Sequence, residues 1–523
     1  MKLKLLVLIS SLFILVSCSS EGGQNDPGAV NETVEEVKEN PNHTTSGGTL
    51  NIAFPTEPVT LDPQVSSNTA VKDATRSIYE QIVAIDQEGQ VIYDLAEEIE
   101  LSEDQLTYTI KLREGVMFHN GEELVAADAV ASLERWIELS ALGQTNFADA
   151  TLQEVDTYTF EFELQNPNLL TLELLADPVP AAAILPKDII DDASPNGANE
   201  FIGTGPYKVG DWQQNQYLVL ERFEDYSSEG RLFEKAANVD DIHINFVSDE
   251  LTRLTGVTTG EYDIALNISN DNLEQLENTQ DVESQIEPGG FLAMFYNHES
   301  PIFKDVKARQ AINALMPVDD ILSSAYANES LYQVTSSIVT DQYENFYSEA
   351  GDDQYNQNNS ELAQSLLEES SYNGETLKLV TTRDYVDQYN MSVVLQQALE
   401  SIDVNVELEV YDWPTLQDIK KDPDKWDLSP LTFAERPTYL QSFWRTDGMP
   451  IDSEINELLT AVTSADSLED ARPAIDDVQQ YVWDEASFSL VGHRFGITAV
   501  ADHVEGYEFI LGPIFYNVNL DEE

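Results

Sequence analysis

Apolar residues follow two spacings along the chain, and each spacing predicts one type of element. Alternate apolar positions are typical of half-buried strands, and they occur at residues 108–112, 160–164, 242–246 and 404–410. Spacings of three and four residues are typical of helices, and they occur at residues 71–82, 126–136, 362–367 and 394–402. Because both spacings alternate to the C-terminus, the pattern predicts a mixed α/β chain.

Two pairs of glycines precede extended apolar runs. Gly203 and Gly205 precede the run at 217–220, and Gly289-Gly290 precedes the run at 291–296. A glycine pair lets the backbone turn or flex. Residues 288–292 are therefore a candidate crossing between two lobes, and an ordinary surface turn is the alternative.

The N-terminus has the order of an export signal. Lys2 and Lys4 precede an apolar run at 5–16, and Ser17 stands before Cys18, the single cysteine of 523 residues. The segment Leu15-Val16-Ser17-Cys18 also resembles the bacterial lipoprotein signal, in which the cysteine sulfur carries a diacylglycerol. The alternative is a buried core cysteine. Residues 19–48 contain few large apolar side chains, which predicts a flexible tether.

Length and charge describe the body that follows this tether. The remaining roughly 475 residues exceed the size of a usual single core, so two or three lobes are expected. The chain has 96 acidic and 26 basic residues, a net charge of −70. Such a surface repels nucleic acid and anionic lipid, and salt would screen its self-repulsion. A saline or alkaline habitat is expected, and attraction of a cationic substrate is a weaker alternative because the acidic residues are dispersed.

Sequence signatures of catalysis, cofactors and metals are absent. The chain has no G-x-S-x-G, H-E-x-x-H, P-loop or paired C-x-x-C motif, and the G-x-G at Gly203 lacks a third glycine. The six histidines, His43, His119, His243, His298, His493 and His503, do not show ligand spacing. Neither a metal nor a cofactor is expected, and the protein is not expected to be an enzyme.

Several phrases resemble the family 5 extracellular solute-binding proteins, the peptide and nickel receptors of ABC importers. They occur in family order from about Gly48 to the C-terminus, and they include LTYTIKLREGVMFHNG at 106–121, ADAV at 127–130, SLERW at 132–136, GTGPY at 203–207, GEYDIA at 260–265 and VKARQAIN at 306–313. The resemblance implies a two-lobe α/β fold of the periplasmic-binding-protein type (class II, cluster C) with an inserted subdomain.

The resemblance also implies three parts, which follow the predicted signal peptide at 1–17 and the predicted tether at 18–48. They are a discontinuous lobe I at 49–86, 201–292 and 488–523, an inserted subdomain at 87–200, and lobe II at 293–487. The lobes are expected to be joined near 288–296 and 485–495, with the ligand enclosed where they meet.

Candidate ligand-binding residues lie in loops and strand ends expected at this cleft. They are Glu57, Phe291, Arg383, Trp413, Glu435, Arg436 and Tyr439. An arginine stands where peptide receptors of this family often have an aspartate that holds the ligand's ammonium group. Glu435 could still hold an ammonium, while Arg436 favours a carboxylate or belongs to a structural salt bridge. Trp413 is either an aromatic wall or a core residue.

The function implied is a receptor anchored by lipid at Cys18 on the outer face of the cell membrane, or in the periplasm if the cell has an outer membrane. It would bind short peptides and deliver them to the permease and ATPase subunits of an ABC importer. The membrane contact would be the lipid alone, and no nucleic acid is expected. The alternative within the fold is a nickel-chelate receptor, and a secreted hydrolase is a distant third.

Overall fold

The computed structural model of the protein describes residues 47–194, 197–231, 233–436 and 453–521. Over these ranges, no helix is both long enough and apolar enough to cross a membrane. Cys18 and Tyr439 lie outside the described residues.

The strands of the described residues follow in chain order. They are β1 (Thr49–Phe54), β2 (Val83–Ile85), β3 (Val91–Tyr93), β4 (Ala96–Leu101), β5 (Thr107–Leu112), β6 (Thr151–Glu154), β7 (Thr159–Glu163), β8 (Tyr207–Gln213), β9 (Tyr217–Arg222), β10 (Asp241–Phe246), β11 (Ile264–Ile268), β12 (Val282–Tyr296), β13 (Tyr332–Gln333), β14 (Leu377–Thr382), β15 (Val406–Tyr411), β16 (Leu428–Phe433), β17 (Phe488–Ala501), β18 (Val504–Glu505), β19 (Glu508–Phe509), β20 (Pro513–Ile514) and β21 (Asn519–Leu520).

The helices alternate with these strands. They are α1 (Thr69–Thr75), α2 (Ala126–Leu139), α3 (Ala141–Phe147), α4 (Thr171–Ala176), α5 (Lys187–Asp191), α6 (Glu250–Thr258), α7 (Leu273–Glu277), α8 (Val306–Leu315), α9 (Val318–Tyr326), α10 (Ser360–Glu369), α11 (Val386–Ser401), α12 (Trp413–Lys420), α13 (Ser453–Thr463) and α14 (Leu468–Asp484), with 3₁₀ turns at Asn270–Asn272, Glu329–Leu331 and Asp352–Gln354.

Two long antiparallel strands, β12 and β17, join the halves of the main sheet. Its order is β15-β14-β16-β12-β17-β11-β1-β10-β9-β8, with β13 also on β17. At one end β17 pairs with β11, next to the parallel strands β1 and β10. At the other end β12 pairs with β16, next to the parallel strands β14 and β15. The protein is a two-lobe α/β fold whose halves share these two crossing strands.

The glycine pair at 289–290 lies inside β12 as a bulge. Pro288 pairs with Phe495 and Gly290 pairs with Arg494, so Gly289 is the extra residue on β12. The backbone of Gly290 has φ of +96°, which favours glycine. The predicted crossing at 288–292 therefore coincides with an irregularity in the strand pair that joins the two halves.

Buried apolar residues form three large clusters around the sheets. One extends from the four-stranded sheet β4-β5-β7-β6 and α2 to α13, α14 and the stacked rings of Phe291, Phe295 and Phe488. A second packs α6, α8, α9 and α11 against the main sheet. A third contains buried residues of β1, β9, β10 and α1. The crossing strands contribute buried residues to all three clusters.

Most predicted elements are confirmed, and α1 is shorter than its apolar spacing indicated. The helix ends at Thr75, so Ile78 and Ile82 do not lie on it. The chain leaves the helix because its backbone pairs with another segment: Gly205 N donates to Ile78 O at 2.9 Å, and Tyr207 N donates to Ser77 O at 3.0 Å. A Cβ at Gly205 would lie 2.5 Å from Ser77 O, so this close approach requires the glycine.

A buried ion network fixes the segment that follows α1. Arg231 and Lys235 each bond both Glu80 and Asp94, with Lys235 Nζ 2.7 Å from Asp94 Oδ2 and 3.1 Å from Glu80 Oε1. All four side chains are at most 7% exposed. Burial raises the pKa of Glu80, but the two cations outweigh it and lower that pKa to about 2. Glu80 is therefore held as a carboxylate.

Candidate functional site at the crossing strands

The candidate site lies where two parallel strands end beside the crossing strands. In β14 and β16, which are parallel neighbours, the carboxyl ends lead into residues 383–385 and 434–436. Phe433 at the end of β16 pairs with Phe291, which in turn pairs with His493 on β17. Ligands of open α/β sheets bind at the carboxyl ends of parallel strands. Four of the predicted residues, Phe291, Arg383, Glu435 and Arg436, belong to these strand ends or lie in this row.

Glu435 and His493 form a buried pair at this position. His493 Nδ1 lies 3.5 Å from Glu435 Oε2, and the two side chains are 1% and 3% exposed. His493 Nε2 lies 3.0 Å from Ser337 O, so this nitrogen is the donor, and Thr340 donates to Glu435 Oε1 at 3.0 Å. Among the described residues, Glu435 Oε2 and His493 Nδ1 have no hydrogen-bond partner. Two hydrogen-bond acceptors therefore lie 3.5 Å apart, and neither has a donor among the described residues.

Phe291 forms the apolar support of this pair. Its ring stacks on Phe433 at 5.1 Å and on Phe488 at 6.2 Å, and it meets the His493 ring edge-on at 5.9 Å. The side chain is completely buried. In this structure the ring of Phe291 packs against the His493 ring and supports its position.

Arg436 reaches towards the segment that follows α4. Its Nη1 lies 3.9 Å from Asp177 Oδ2, at the outer limit of an ion pair, and its side chain is 21% exposed against 3% for Asp177. Burial lowers the pKa of Lys72, and the nearby charge of Arg436 adds to this effect. Arg436, which follows β16, therefore reaches residues of the half that contains β1, and its role towards a ligand stays a prediction.

Arg383 and Trp413 lie on a more exposed part of the same edge. Arg383 Nη2 donates to the hydroxyl of Tyr389 at 2.9 Å, and its guanidinium lies 4.7 Å from that ring centre. Trp413 is half-buried. Its backbone N–H donates to Asp384 Oδ2 at 2.7 Å, and its ring meets the Tyr385 ring edge-on at 4.9 Å. The structure thus brings an arginine and an aromatic pair to the ends of β14 and β15.

Glu57 lies farther along the lobe that contains β1. Its carboxylate accepts from Trp212 Nε1 at 3.0 Å and from Asn215 N at 2.9 Å. These bonds tie the loop after β1 to the β8–β9 hairpin.

Two charged residues on the crossing strands were missed by sequence reasoning. Glu287 precedes the glycine pair and accepts hydrogen bonds from Tyr507 Oη at 2.6 Å and Thr498 Oγ1 at 2.8 Å. Burial raises the pKa of Glu287 to about 7. Arg494 faces Gly290 across the strand pair. The available signal was a charged residue next to a glycine or close to a glycine pair: Glu287 precedes Pro288-Gly289-Gly290, and Arg494 lies between Gly492 and Gly496.

Within the described ranges, no three His, Cys, Asp or Glu side chains form a group that could hold a metal ion.

Comparisons with known proteins agree on one family. The pattern of the bacterial extracellular solute-binding proteins, family 5 (middle), matches residues 90–448. The oligopeptide-binding protein AppA of Bacillus subtilis is 22% identical over 564 residues, which covers 98% of this chain and 97% of AppA.

Solved structures share the fold. The dipeptide-binding protein of Pseudoalteromonas sp. SM9913 in complex with Met-Leu has a TM-score of 0.77 at 20% identity, covering 91% of this chain and 100% of that chain. NikA of Staphylococcus aureus in complex with Ni(L-His)2 has a TM-score of 0.74 at 19% identity, with the same coverage. At these identities the likeness concerns the fold alone.

Proposed function

Because the chain belongs to the bacterial extracellular solute-binding proteins, family 5, we propose that it binds short peptides between its two lobes and delivers them to the permease and ATPase subunits of an ABC importer. The peptide leaves chemically unchanged, since the work of the protein is to enclose and present it. Relatives of the family include an oligopeptide-binding protein and a dipeptide-binding protein. Their names support the peptide class.

The observation that carries this proposal is the unpartnered carboxylate oxygen of Glu435. A buried carboxylate without a donor is costly, yet only Oε1 is satisfied, by Thr340. The N-terminal ammonium of a peptide would supply both the missing donor and a compensating charge. His493 Nδ1 offers a second acceptor to the same group. Glu435 thus supplies the acid that the aspartate of peptide receptors would otherwise provide.

The other candidate residues have different supporting roles in this proposal. Trp413 and Tyr385 form an aromatic wall, and Arg383 keeps donors beyond the one used by Tyr389. Arg436 links the halves when they close, through Asp177. Phe291 supports His493, and Glu57 fixes the neighbouring loop. Tyr439 remains a candidate from sequence alone.

Attachment to the membrane is part of the proposal. Cys18 carries the lipid and residues 18–48 separate it from the lobes, whose boundaries are those predicted from the sequence. One myristoyl-length chain gives only marginal membrane binding, so the diacyl group of a lipoprotein is suited to retention. Mass spectrometry of the cell-made protein tests this: the account requires an acylated Cys18 as the first residue.

A nickel-chelate receptor is the second candidate. The unpartnered His493 Nδ1 is the observation in its favour, because a neutral imidazole nitrogen is a common nickel ligand. The solved protein with Ni(L-His)2 shares the fold. A hydrolase stays a distant third.

Thermal shift separates these candidates, because a ligand that binds only the native state raises its midpoint. The body from residue 47 onwards is titrated with mixed di- to pentapeptides and with nickel–histidine. We expect stabilisation by peptides, weakened roughly tenfold or more in apparent affinity by Glu435→Gln. Glu505→Gln, at an exposed position, is the matched control. Stabilisation by nickel–histidine alone would favour the second candidate, and shortened peptides in the mixture would favour the hydrolase.

A further inference from the structure

Arg494 is an unpaired arginine in a strongly acidic protein. Acidic residues outnumber basic ones 96 to 26, and buried or half-buried arginines elsewhere in the described ranges bond carboxylates or carbonyls, as Arg135, Arg253 and Arg309 do. The side chain of Arg494 makes no hydrogen bond or ion pair with a described residue, and its Nε is buried without a partner. A guanidinium has five donors and is always charged, so leaving it unpaired is costly.

Its position is the centre of the lobe crossing. Arg494 pairs with Gly290 across the strands, and its side chain lies over Gly289: a Cβ on Gly289 would be 3.3 Å from both Cγ and Nη1 of Arg494. Burial raises the pKa of Tyr326 and Tyr385, and the charge of Arg494 opposes both shifts. The charge of Arg494 therefore acts on Tyr385, whose ring meets Trp413 edge-on.

Open space adjoins Arg494 on its own side of β17. Side chains two residues apart on a strand share a face, and a Cβ at Gly496 would meet nothing within 4 Å. Next on this face, Thr498 Oγ1 donates to Glu287 Oε2 at 2.8 Å. Between Arg494 and Thr498, this face of β17 therefore borders open space at Gly496.

We propose that Arg494 binds a carboxylate group of the enclosed ligand. The guanidinium fork matches a carboxylate in geometry and charge, and Gly496 leaves the room that such a group needs. A net charge of −70 repels an anionic group, so a cation inside the crossing is required to hold one. This inference rests on the proposed peptide function, and it assigns the anionic end of the ligand, opposite in charge to the end held by Glu435.

The carboxylate has two possible sources, the peptide C-terminus and an acidic side chain, and one experiment distinguishes them. Ligand-stripped protein is incubated with two random tetrapeptide libraries, one with free C-termini and one with C-terminal amides. Captured peptides are then quantified by mass spectrometry. The variants are Arg494→Gln, Arg494→Lys and, as a matched loss of one positive charge, Lys304→Gln. Lys304 is exposed and makes no side-chain bond to a described residue.

Wild type and Lys304→Gln are expected to prefer free acids over amides by roughly tenfold or more, the size of a charge-assisted hydrogen bond. Arg494→Gln should lose this preference while still capturing amides, and Arg494→Lys should keep part of it. A preference that instead follows Asp and Glu content within the amide library assigns the side chain as the source. A preference for free acids that survives in Arg494→Gln overturns the proposal.

Acetate, the minimal carboxylate, separates this inference from the peptide function. The thermal midpoint is measured as acetate replaces chloride at constant sodium concentration. Acetate should raise the midpoint of wild type and Lys304→Gln, and not that of Arg494→Gln. If wild type captures neither library, the peptide function fails, and the acetate series alone decides on Arg494. Equal responses of wild type and Arg494→Gln to acetate overturn the carboxylate site.

Discussion

Gly290 shows how one residue sets the geometry of the crossing. A Cβ there would lie 1.7 Å from Phe433 O, a backbone atom that no rotamer change can move. Gly290→Ala should therefore lower the free energy of unfolding by roughly 3 kcal/mol or more. Urea denaturation measures the effect. Gly374→Ala is the control: Gly374 has a similar φ of +89° with nothing within 4 Å, so only the backbone cost of about 1 kcal/mol is expected. Equal losses in both variants would show that the contact with Phe433 is unimportant.

Glu287 should make stability depend on pH. Its pKa is about 7 in the native state against an ordinary 4.5. Between pH 4.5 and about pH 7 the native state binds more protons than the unfolded state. The contribution of Glu287 to the free energy of unfolding therefore falls as pH rises through this range. Glu287→Gln removes the effect. Relative to wild type, the variant should gain roughly 2–3 kcal/mol between pH 4.5 and pH 8, measured by urea denaturation at each pH. A difference that does not change with pH would contradict the account.

Individual site residues were only partly predictable from sequence. Glu435 and Arg436 were named because the family resemblance points to their segment, and their part in binding a ligand stays a prediction. Arg494 and His493 were missed because they are polar residues inside a buried strand, and alternation alone does not show which face borders open space. The space beside Arg494 depends on Gly496 and on a bulge in the partner strand. Such features arise from the pairing of distant segments.

At the scale of elements, the Glu80 network should be the strongest polar connection in its half. Glu80→Gln leaves Arg231 and Lys235 with one carboxylate, Asp94, in a buried site. The expected loss is roughly 3–5 kcal/mol of unfolding free energy, measured by urea denaturation. Lys421→Ala breaks an exposed pair with Asp418, whose side chains are 73% and 75% exposed; it should cost less than about 1 kcal/mol. Similar losses for the two variants would contradict the importance given to burial.

Secondary structure was predictable wherever one face of an element is buried and the other is exposed to solvent. The alternation at 108–112 and the helical spacing at 126–136 became β5 and α2, whose buried faces meet in one core. The extent of α1 was overestimated, because Ile78 is buried by backbone pairing with the segment at 203–207. Apolar spacing reports burial and does not identify the partner that causes it.

At the scale of the whole molecule, the charge of −70 should make stability increase with salt. Raising sodium chloride from 0.05 M to 1 M shortens the Debye length from roughly 14 Å to about 3 Å and screens the mutual repulsion of the carboxylates. Differential scanning calorimetry should show a higher Tm at 1 M. Chloride is preferred to sulfate because sulfate stabilises proteins by exclusion as well. A Tm that stays constant or falls would refute the inference of a saline habitat.

The two-lobe architecture was predictable as a whole through the order of its family phrases, and the structure confirms the fold. The domain boundaries remain predictions, since β12 and β17 belong to both halves of one sheet and give no sharp limit. Ligand identity was beyond sequence reasoning for a physical reason. The polar atoms that select a ligand are few, and they come from segments as distant as 340, 435 and 493.

Isothermal titration calorimetry of ligand-stripped protein with defined di- to pentapeptides, followed by mass spectrometry of the recovered peptides, tests the central claim most directly. The account predicts saturable heat at one peptide per protein and recovery of every peptide at its original mass. Absence of saturable heat across the peptide set, or recovery of cleaved peptides, would contradict a receptor that encloses peptides between two lobes and releases them intact.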